Sequence, residues 1–301
     1  MEQFLAELNQ IDAGSVSFNK PLADFTTWKI GGPADVLIIP ETEEQLVACI
    51  RLLHKHGVQW TNLGRGSNLL ISDKGIRGVV LQLGEGFDYA RFDGTYVHVG
   101  AAYSLIKLSV LSAREGLTGL EFAGGIPASV GGAVYMNAGA HGSDVSRIFK
   151  SADIVLETGE LVRFDAEQME FSYRHSCLHE RPGIVIGAVF ELGQGHRKDI
   201  TATTTAYKQR RLLTQPLTLA CAGSVFRNPP NDFAARLIEA SGLKGLRQGG
   251  AEISTLHANF IVNTGQATAE DVLTLMSTIR STVQQNFGIE LVAEVYVVGE
   301  R

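Results

Sequence analysis

Three polar side chains whose types could take part in chemistry stand far apart in this chain: Arg174, Ser224 and Glu294. Arg174 lies in YRHS (173–176) and offers an always-charged planar fork for a carboxylate or a phosphate. From that segment alone a surface arginine is the simpler reading. Ser224 follows Gly223 in AGSVFRNP (222–229), with Arg227 close by. A serine beside a glycine is ordinarily a cap or turn, and the G-x-S-x-G elbow of a hydrolase is missing, so a serine nucleophile is not indicated. Glu294 sits in LVAEVYVVG (291–299), which reads as a strand. Side chains alternate along a strand, so Glu294 shares a face with Val292, Tyr296 and Val298. Both faces are mainly apolar, and the strand is expected to be largely buried. A buried carboxylate must be paired or protonated. Two readings therefore stay open for Glu294, a functional acid and one half of a structural ion pair.

Two glycine-rich segments can bring backbone close to an anion. LGRGSNLL (63–70) follows a predicted strand; its successive N–H groups can form a concave nest, with Ser67 and Asn68 adding side-chain donors. A tight turn between short strands explains it equally well. The second segment, GLEFAGGIPASVGGAVYMNAGAHG (119–142), has seven glycines in 24 residues. Ordering so flexible a stretch costs conformational entropy, which points to a ligand that holds it. Neither segment is a standard nucleotide motif. Gly64 and Gly66 begin a G-x-G, but Leu69 stands where the third Rossmann glycine belongs. No glycine-rich run ends in Gly-Lys-Ser/Thr, which excludes a P-loop.

The 301 residues carry a net charge of −6 with 45% hydrophobic and 19% charged residues, the balance of a globular protein. Without a basic block, nucleic acid is not an expected partner, although local arginines and amides still suit a diphosphate. No apolar run is long enough to span a bilayer. The opening MEQFLAELNQ has acidic residues where a signal peptide has a basic end and an apolar stretch. Cys49, Cys177 and Cys221 are odd in number and far apart, so a reducing compartment without disulfides is expected, and the reading is cytoplasmic. Cys221 reads as small-residue packing. The eight histidines form no metal set: His54 and His56 fall on the outer part of a helix, and no acid separates His175 from His179 as H-E-x-x-H requires.

The elements that must position these residues alternate between strand and helix. Strands are predicted at 35–40, 58–63, 78–83, 95–101 and 183–192, the last a long buried one. A helix after Thr42 has a capping box with Gln45, an inner face of Leu46, Cys49, Ile50 and Leu53, and an end at Gly57. Another spans 104–115 and stops at Gly116. The polar GQGHRK (193–198) reads as a boundary, followed by a helix over 199–213. Thr268 and Asp271 cap a last helix whose inner face is Val272, Leu275, Met276, Ile279 and Val283.

Taken in order, GRGSNLLISDKGIRGVVLQL, GLEFAGGIPASVGGAVYMNAGAHG, YRHS, AGSVFRNP, GGAEISTLHANFIVN and LVAEVYV resemble the UDP-N-acetylenolpyruvoylglucosamine reductase family over nearly the whole chain. The resemblance implies an α/β (α+β) architecture: a two-lobed FAD-binding fold of the vanillyl-alcohol-oxidase type, with lobes at 1–86 and 87–197, and an α/β substrate domain at 198–301. It implies non-covalent FAD, NADPH as co-substrate and a UDP-sugar substrate; no metal is expected from the histidine spacings, and a monomer is expected. Gly64, Arg65, Gly66, Ser67, Asn68 and Leu69 would hold the FAD pyrophosphate and its neighbours. So would Gly124, Gly125, Ile126, Pro127, Ser129, Gly131 and Gly132, and further along Asn137, Gly139, Ala140 and His141.

By the same resemblance Ser224 gives a proton to C2 of the enolpyruvyl ether while hydride reaches C3. Arg174 and Glu294 stabilise the enolate-like intermediate through its carboxylate, Glu294 serving if burial keeps it protonated. Tyr173, Asn228 and His257 match positions close to the substrate, and electrostatics adds Arg227 for its diphosphate. The short C-terminal part resembles the compact type of the family, without the mobile tyrosine loop of the longer type. Two other readings remain: a related flavin enzyme with a covalent tether, for which His141 is conceivable, and a non-catalytic nucleotide-binding module.

Overall fold

The structure is a computed structural model in which residues 1–300 are described. By its internal contacts the chain divides into two compact units. The first comprises Met1–Phe18, Val36–Arg65 and Gly78–Gln209, and the second Asn19–Asp35, Gly66–Arg77 and Arg210–Arg301. Among the described residues no helix is long and apolar enough to cross a membrane.

In the first unit, helices α1 (Glu2–Leu8) and α2 (Glu43–His56) build one core. Phe4 and Leu8 pack with Leu46, Cys49, Ile50 and Leu53, so the predicted inner face of α2 is the buried one. Thr42 Oγ1 accepts the Gln45 amide at 3.3 Å, and Gly57 ends the helix in the left-handed region at φ 60°. The other half of the expected capping box is not made. Gln45 Oε1 accepts the Glu41 amide at 2.7 Å, because its Nε2 is drawn to Asp12 Oδ2 at 2.9 Å. His56 differs from the expectation too: its ring turns edge-on to Phe4, at 6.3 Å, rather than outward.

A four-stranded sheet runs in the order Ser15–Pro21, Pro33–Ile39, Ile76–Leu81, Trp60–Asn62, its last pair parallel. A five-stranded antiparallel sheet has the order Leu161–Asp165, Phe149–Leu156, Gly183–Glu191, Tyr96–Gly100, Ala90–Asp93. Its central strand Gly183–Glu191 is almost wholly buried, as its composition predicts. Helices α3 (Leu105–Arg114) and α4 (Val130–Tyr135) start at Ser104 and Ser129, whose hydroxyls accept the Lys107 and Gly132 amides. Both bury apolar residues, among them Leu105, Leu108, Val130 and Val134, in one cluster with Val97, Val99 and Ala188 of the sheet. Helix α5 (Arg197–Thr214) begins two residues earlier than predicted and buries only Ile200 and Thr204.

The second unit holds the short helix α6 (Ala234–Ala240) and the long α7 (Ala269–Phe287). The predicted Thr268–Asp271 capping box is present, and Val272, Leu275, Met276, Ile279 and Val283 are all buried. Asp73 adds a second cap, its carboxylate accepting the Ala269 and Glu270 amides at 2.8 and 3.1 Å. Ala251–Ile253 and Ile261–Asn263 pair antiparallel, and Tyr296–Val298 pairs parallel with Leu69–Ile71. At the centre Trp28 is fully buried; its Nε1 donates to the Ile261 carbonyl at 2.8 Å and its carbonyl accepts from Asn263 Nδ2 at 3.0 Å.

The expected strand over 291–299 is a correction. Only Tyr296–Val298 is strand, and Val292 is 58% exposed. The ladder breaks because the Val225 carbonyl accepts both the Glu294 amide, at 2.8 Å, and the Val295 amide, at 3.4 Å. Glu294 is half-buried in this irregular stretch rather than enclosed in a strand.

Replacing Trp28 by phenylalanine leaves a void and strips the Ile261 carbonyl of its indole donor. Trp28→Phe is expected to lower unfolding free energy by about 2–3 kcal/mol in urea titration; a change within experimental error would show that the indole does not organise this core.

Candidate functional site

Within the first unit the two glycine-rich segments touch. A Cβ on Gly64 would stand 2.8 Å from Ser129 Oγ, so a larger residue there would have to displace the hydroxyl that caps α4. The Gly64 carbonyl is fixed by Gln82 Nε2 at 3.1 Å. The second segment is less loop-like than its glycines suggest. It contains the turn Glu121–Ala123 and α4, whose capping serine is the same Ser129.

The YRHS turn is fastened to this segment. Ser172 and His175 exchange both backbone hydrogen bonds at 3.2 Å, leaving Tyr173 and Arg174 at the tip. Arg174 takes φ 57°, a left-handed conformation costing about 1–2 kcal/mol for a residue with a Cβ, and strain of this kind concentrates at functional turns. Arg174 Nη2 donates to the Gly139 carbonyl at 2.9 Å, and its guanidinium carbon lies 5.0 Å from the Tyr173 ring centre. Asn137, almost fully buried, spans the junction by donating to the Ser172 carbonyl at 2.9 Å and accepting the Ser146 amide at 3.0 Å. Ser176 Oγ donates to the Tyr135 carbonyl at 2.7 Å, and the Tyr135, His179 and His175 rings stack at 4.3 and 4.7 Å. His141 lies flat on Tyr207, with ring centres 3.9 Å apart and planes 4° from parallel. Gly124 is buried; Gly125, Ile126, Gly131, Gly132 and Ala140 are half-buried and Pro127 is exposed.

Within the second unit, Ser224 and Glu294 are brought together. Phe226 bridges Ala293 antiparallel; the Arg227 amide donates to Val292 and the Glu294 amide to Val225, both at 2.8 Å. Glu294 is thus bonded through its backbone to the residue after Ser224. Its carbonyl accepts from Asn68 Nδ2 at 3.1 Å, and the Asn68 carbonyl accepts the Tyr296 amide at 3.0 Å. The first glycine-rich turn is therefore bonded to the Glu294 segment. In that turn Gly66 takes φ 59° and a Cβ would meet the Phe25 carbonyl oxygen at 2.3 Å. Gly66 is buried, and among the described residues no acceptor is paired with its N–H or with that of Ser67. Adjacent unpaired amides of this kind are the donor set of an anion nest. Arg65 is exposed and Leu69 opens the strand Leu69–Ile71.

The expected substrate contacts divide. Arg227 Nε is buried with no hydrogen-bond partner among the described residues. Asn228 Oδ1 is engaged, accepting the Ala234 amide at 3.1 Å at the start of α6. His257 Nδ1 accepts the Asn259 amide at 3.3 Å, which fixes the proton of the neutral ring on Nε2. Cys221, half-buried, packs against the core, as read from its neighbours. Sequence reading missed Asn259, Gln82 and Tyr207, whose roles arise from contacts that no local pattern encodes. Arg174 lies in the first unit, Ser224 and Glu294 in the second.

Residues 34–165 match a family described as FAD binding domain, and residues 215–298 match UDP-N-acetylenolpyruvoylglucosamine reductase, C-terminal domain. A UDP-N-acetylenolpyruvoylglucosamine reductase of Bacillus licheniformis is 49% identical, with 100% of each chain covered. The crystal structure of a UDP-N-acetylenolpyruvylglucosamine reductase from Thermus caldophilus superposes with a TM-score of 0.81 at 37% identity, covering 94% of this chain and 98% of that one. Berberine bridge enzyme from Eschscholzia californica, at 14% identity, gives a TM-score of 0.51 over 76% of this chain and 53% of its own. That last likeness concerns the fold alone, which is the α/β FAD-binding type expected from the sequence.

Burial lowers the pKa of His257 below its ordinary 6.5. Just below that value the unfolded chain takes up a proton that the folded chain refuses, so this histidine's contribution to stability is present above 6.5 and is lost as pH falls through the lowered value. Urea titrations at about pH 7 and about pH 5 should show a smaller acid-induced loss for His257→Gln than for the parent chain. Equal losses would remove His257 from the acid response.

Proposed function

Because the chain belongs to the UDP-N-acetylenolpyruvoylglucosamine reductase family, we propose that it reduces the enolpyruvyl ether of UDP-N-acetylglucosamine to UDP-N-acetylmuramate, consuming NADPH, for peptidoglycan synthesis. It is an oxidoreductase with an FAD-binding domain. Residues 1–86 and 87–197 serve as the two lobes for FAD and 198–301 for the sugar nucleotide.

The residues present fit a dinucleotide cofactor. The Gly66 and Ser67 amides offer donors to a pyrophosphate, and at Gly66 a Cβ would meet the Phe25 carbonyl oxygen at 2.3 Å. Gly64–Leu69 and the stretch 124–141 would hold the flavin nucleotide. A flavin held there would supply the hydride for C3 of the enolpyruvyl double bond, with NADPH as its source. Ser224 releases its hydroxyl proton to C2, so hydride and proton together saturate the bond, and Ser224 regains a proton from solvent. Charge that develops on the substrate carboxylate during this step is assigned to the Arg174 guanidinium, with Glu294 as the second residue that stabilises the intermediate. Arg227 receives the diphosphate; Tyr173, Asn228 and His257 line the sugar-nucleotide site.

One observation carries this reading. Residues from the two distant motifs AGSVFRNP and LVAEVYV are hydrogen-bonded side by side, and the same Glu294 that pairs next to Ser224 is held by Asn68 of the first glycine-rich turn. A proton donor, an acid and a phosphate-type loop joined in this way suit proton delivery beside a bound dinucleotide.

Acid precipitation of the purified protein should release FAD into the supernatant; colour retained by the chain would mean a covalent flavin instead. Gly66→Ala should bind markedly less FAD per chain, measured by flavin absorbance. Ser224→Ala should leave reduction of the flavin by NADPH intact while slowing its reoxidation by the enolpyruvyl sugar about 10²–10⁴-fold in stopped flow. Normal reoxidation in Ser224→Ala would remove Ser224 as the proton donor.

A further inference from the structure

We infer that Asn259 is a positioning residue that sets the place of the Ser224 hydroxyl by clamping the backbone next to it, an inference resting on the proton-donor reading of Ser224. Upstream of Ser224 the chain is anchored at Ala220, whose carbonyl accepts the Asn263 amide at 2.9 Å, and at the buried Ala222. Gly223 takes φ 78°, and a Cβ placed on it would meet nothing within 4 Å. Gly223 separates that anchor from Ser224, and downstream the serine is held at Val225 and Phe226.

Phe226 is the non-hydrogen-bonded member of its bridge to Ala293, since the ladder bonds run from Arg227 and to Val225 on either side. Its own N–H and C=O face away from the Val292–Glu294 segment. Asn259 takes both. Its Oδ1 accepts the Phe226 amide at 3.0 Å and its Nδ2 donates to the Phe226 carbonyl at 2.8 Å. A third bond runs from the Val225 amide to the Asn259 carbonyl at 2.9 Å. One side-chain amide thus does the work of an adjacent strand, and it does so 3% exposed. Asn259 is itself fixed, because its amide donates to His257 Nδ1 and the Ser254 hydroxyl accepts the Leu256 and His257 amides. With Asn259 on one edge and Val292–Glu294 on the other, the Ser224 segment has its register set from both sides.

The choice of an amide is specific. An aspartate in its place keeps an acceptor for the Phe226 amide but faces the Phe226 carbonyl with a second acceptor. A glutamine keeps both groups and moves them by one methylene. The test compares Asn259→Asp and Asn259→Gln in the FAD-loaded full chain, each half-reaction followed separately. Reduction by NADPH should stay within about twofold of the parent, while reoxidation by the enolpyruvyl sugar slows by about tenfold or more, with a larger solvent deuterium effect as proton delivery becomes limiting. In a Ser224→Ala background the same substitutions should cost less than about twofold further, since the group they position is gone. Equal slowing of both half-reactions, full multiplicative loss in the Ser224→Ala background, or loss of folding and flavin in both variants would make Asn259 merely structural and overturn the inference. Unimpaired reoxidation in Ser224→Ala alone is the separate failure, that of the proton-donor reading.

Discussion

The hydrogen bond from the Glu294 amide to the Val225 carbonyl joins two parts of the chain that lie far apart in sequence and sets Glu294 beside the residue that follows Ser224. It belongs to a short ladder in which Arg227 pairs with Val292 and Phe226 bridges Ala293. Neither partner is part of a regular strand. The ladder is too short to hold by itself, and neighbouring side chains complete it. Asn259 occupies the free edge at Phe226, and Asn68 occupies the Glu294 carbonyl. Each amide side chain supplies a donor or acceptor that a longer sheet would have taken from backbone. The irregularity leaves Ser224 and Glu294 half-buried instead of enclosed, which suits residues that must reach a ligand.

The first unit uses the same device around a different residue. Arg174 sits at the tip of a two-residue turn in a conformation unfavourable to it, and the turn is held from three places, by Asn137, by Ser176 and by its own bond to Gly139. Strain persists where surrounding bonds over-determine the backbone. Those bonds also tie the arginine to the glycine-rich stretch, whose order is reinforced by α4 and by the contact between Gly64 and Ser129. Glycine there serves close packing as much as ligand approach, and the conformational entropy of such a stretch is offset by contacts within the protein as well as by whatever it binds.

Legibility differed by the range of the interaction. The inner faces of α2 and α7 could be read from helical spacing, and their ends from Thr42, Gly57, Thr268 and Asp271, because caps and periodicity involve residues within one or two turns. The buried strand Gly183–Glu191 was legible from its apolar run. Alternation misled at 291–299: an apolar stretch reads as strand whether or not a ladder partner continues beside it, and here Val225 takes two amides and ends the pairing. Asn259 carried no local sign at all, since an asparagine among apolar residues looks the same whether it caps a turn or clamps a distant strand.

By itself the sequence determined the alternating α/β composition, the capped helices and the ordered set of motifs that marks the family, because each depends on residue types at short, fixed spacings. The tertiary structure alone decided that Glu294 lies next to the Ser224 segment, that Asn68 and Asn259 hold that junction, and that Arg174 is fastened to Gly139. Those are hydrogen bonds between segments separated by long stretches of chain. Their geometry is fixed by how whole cores pack, and no spacing along the chain encodes it.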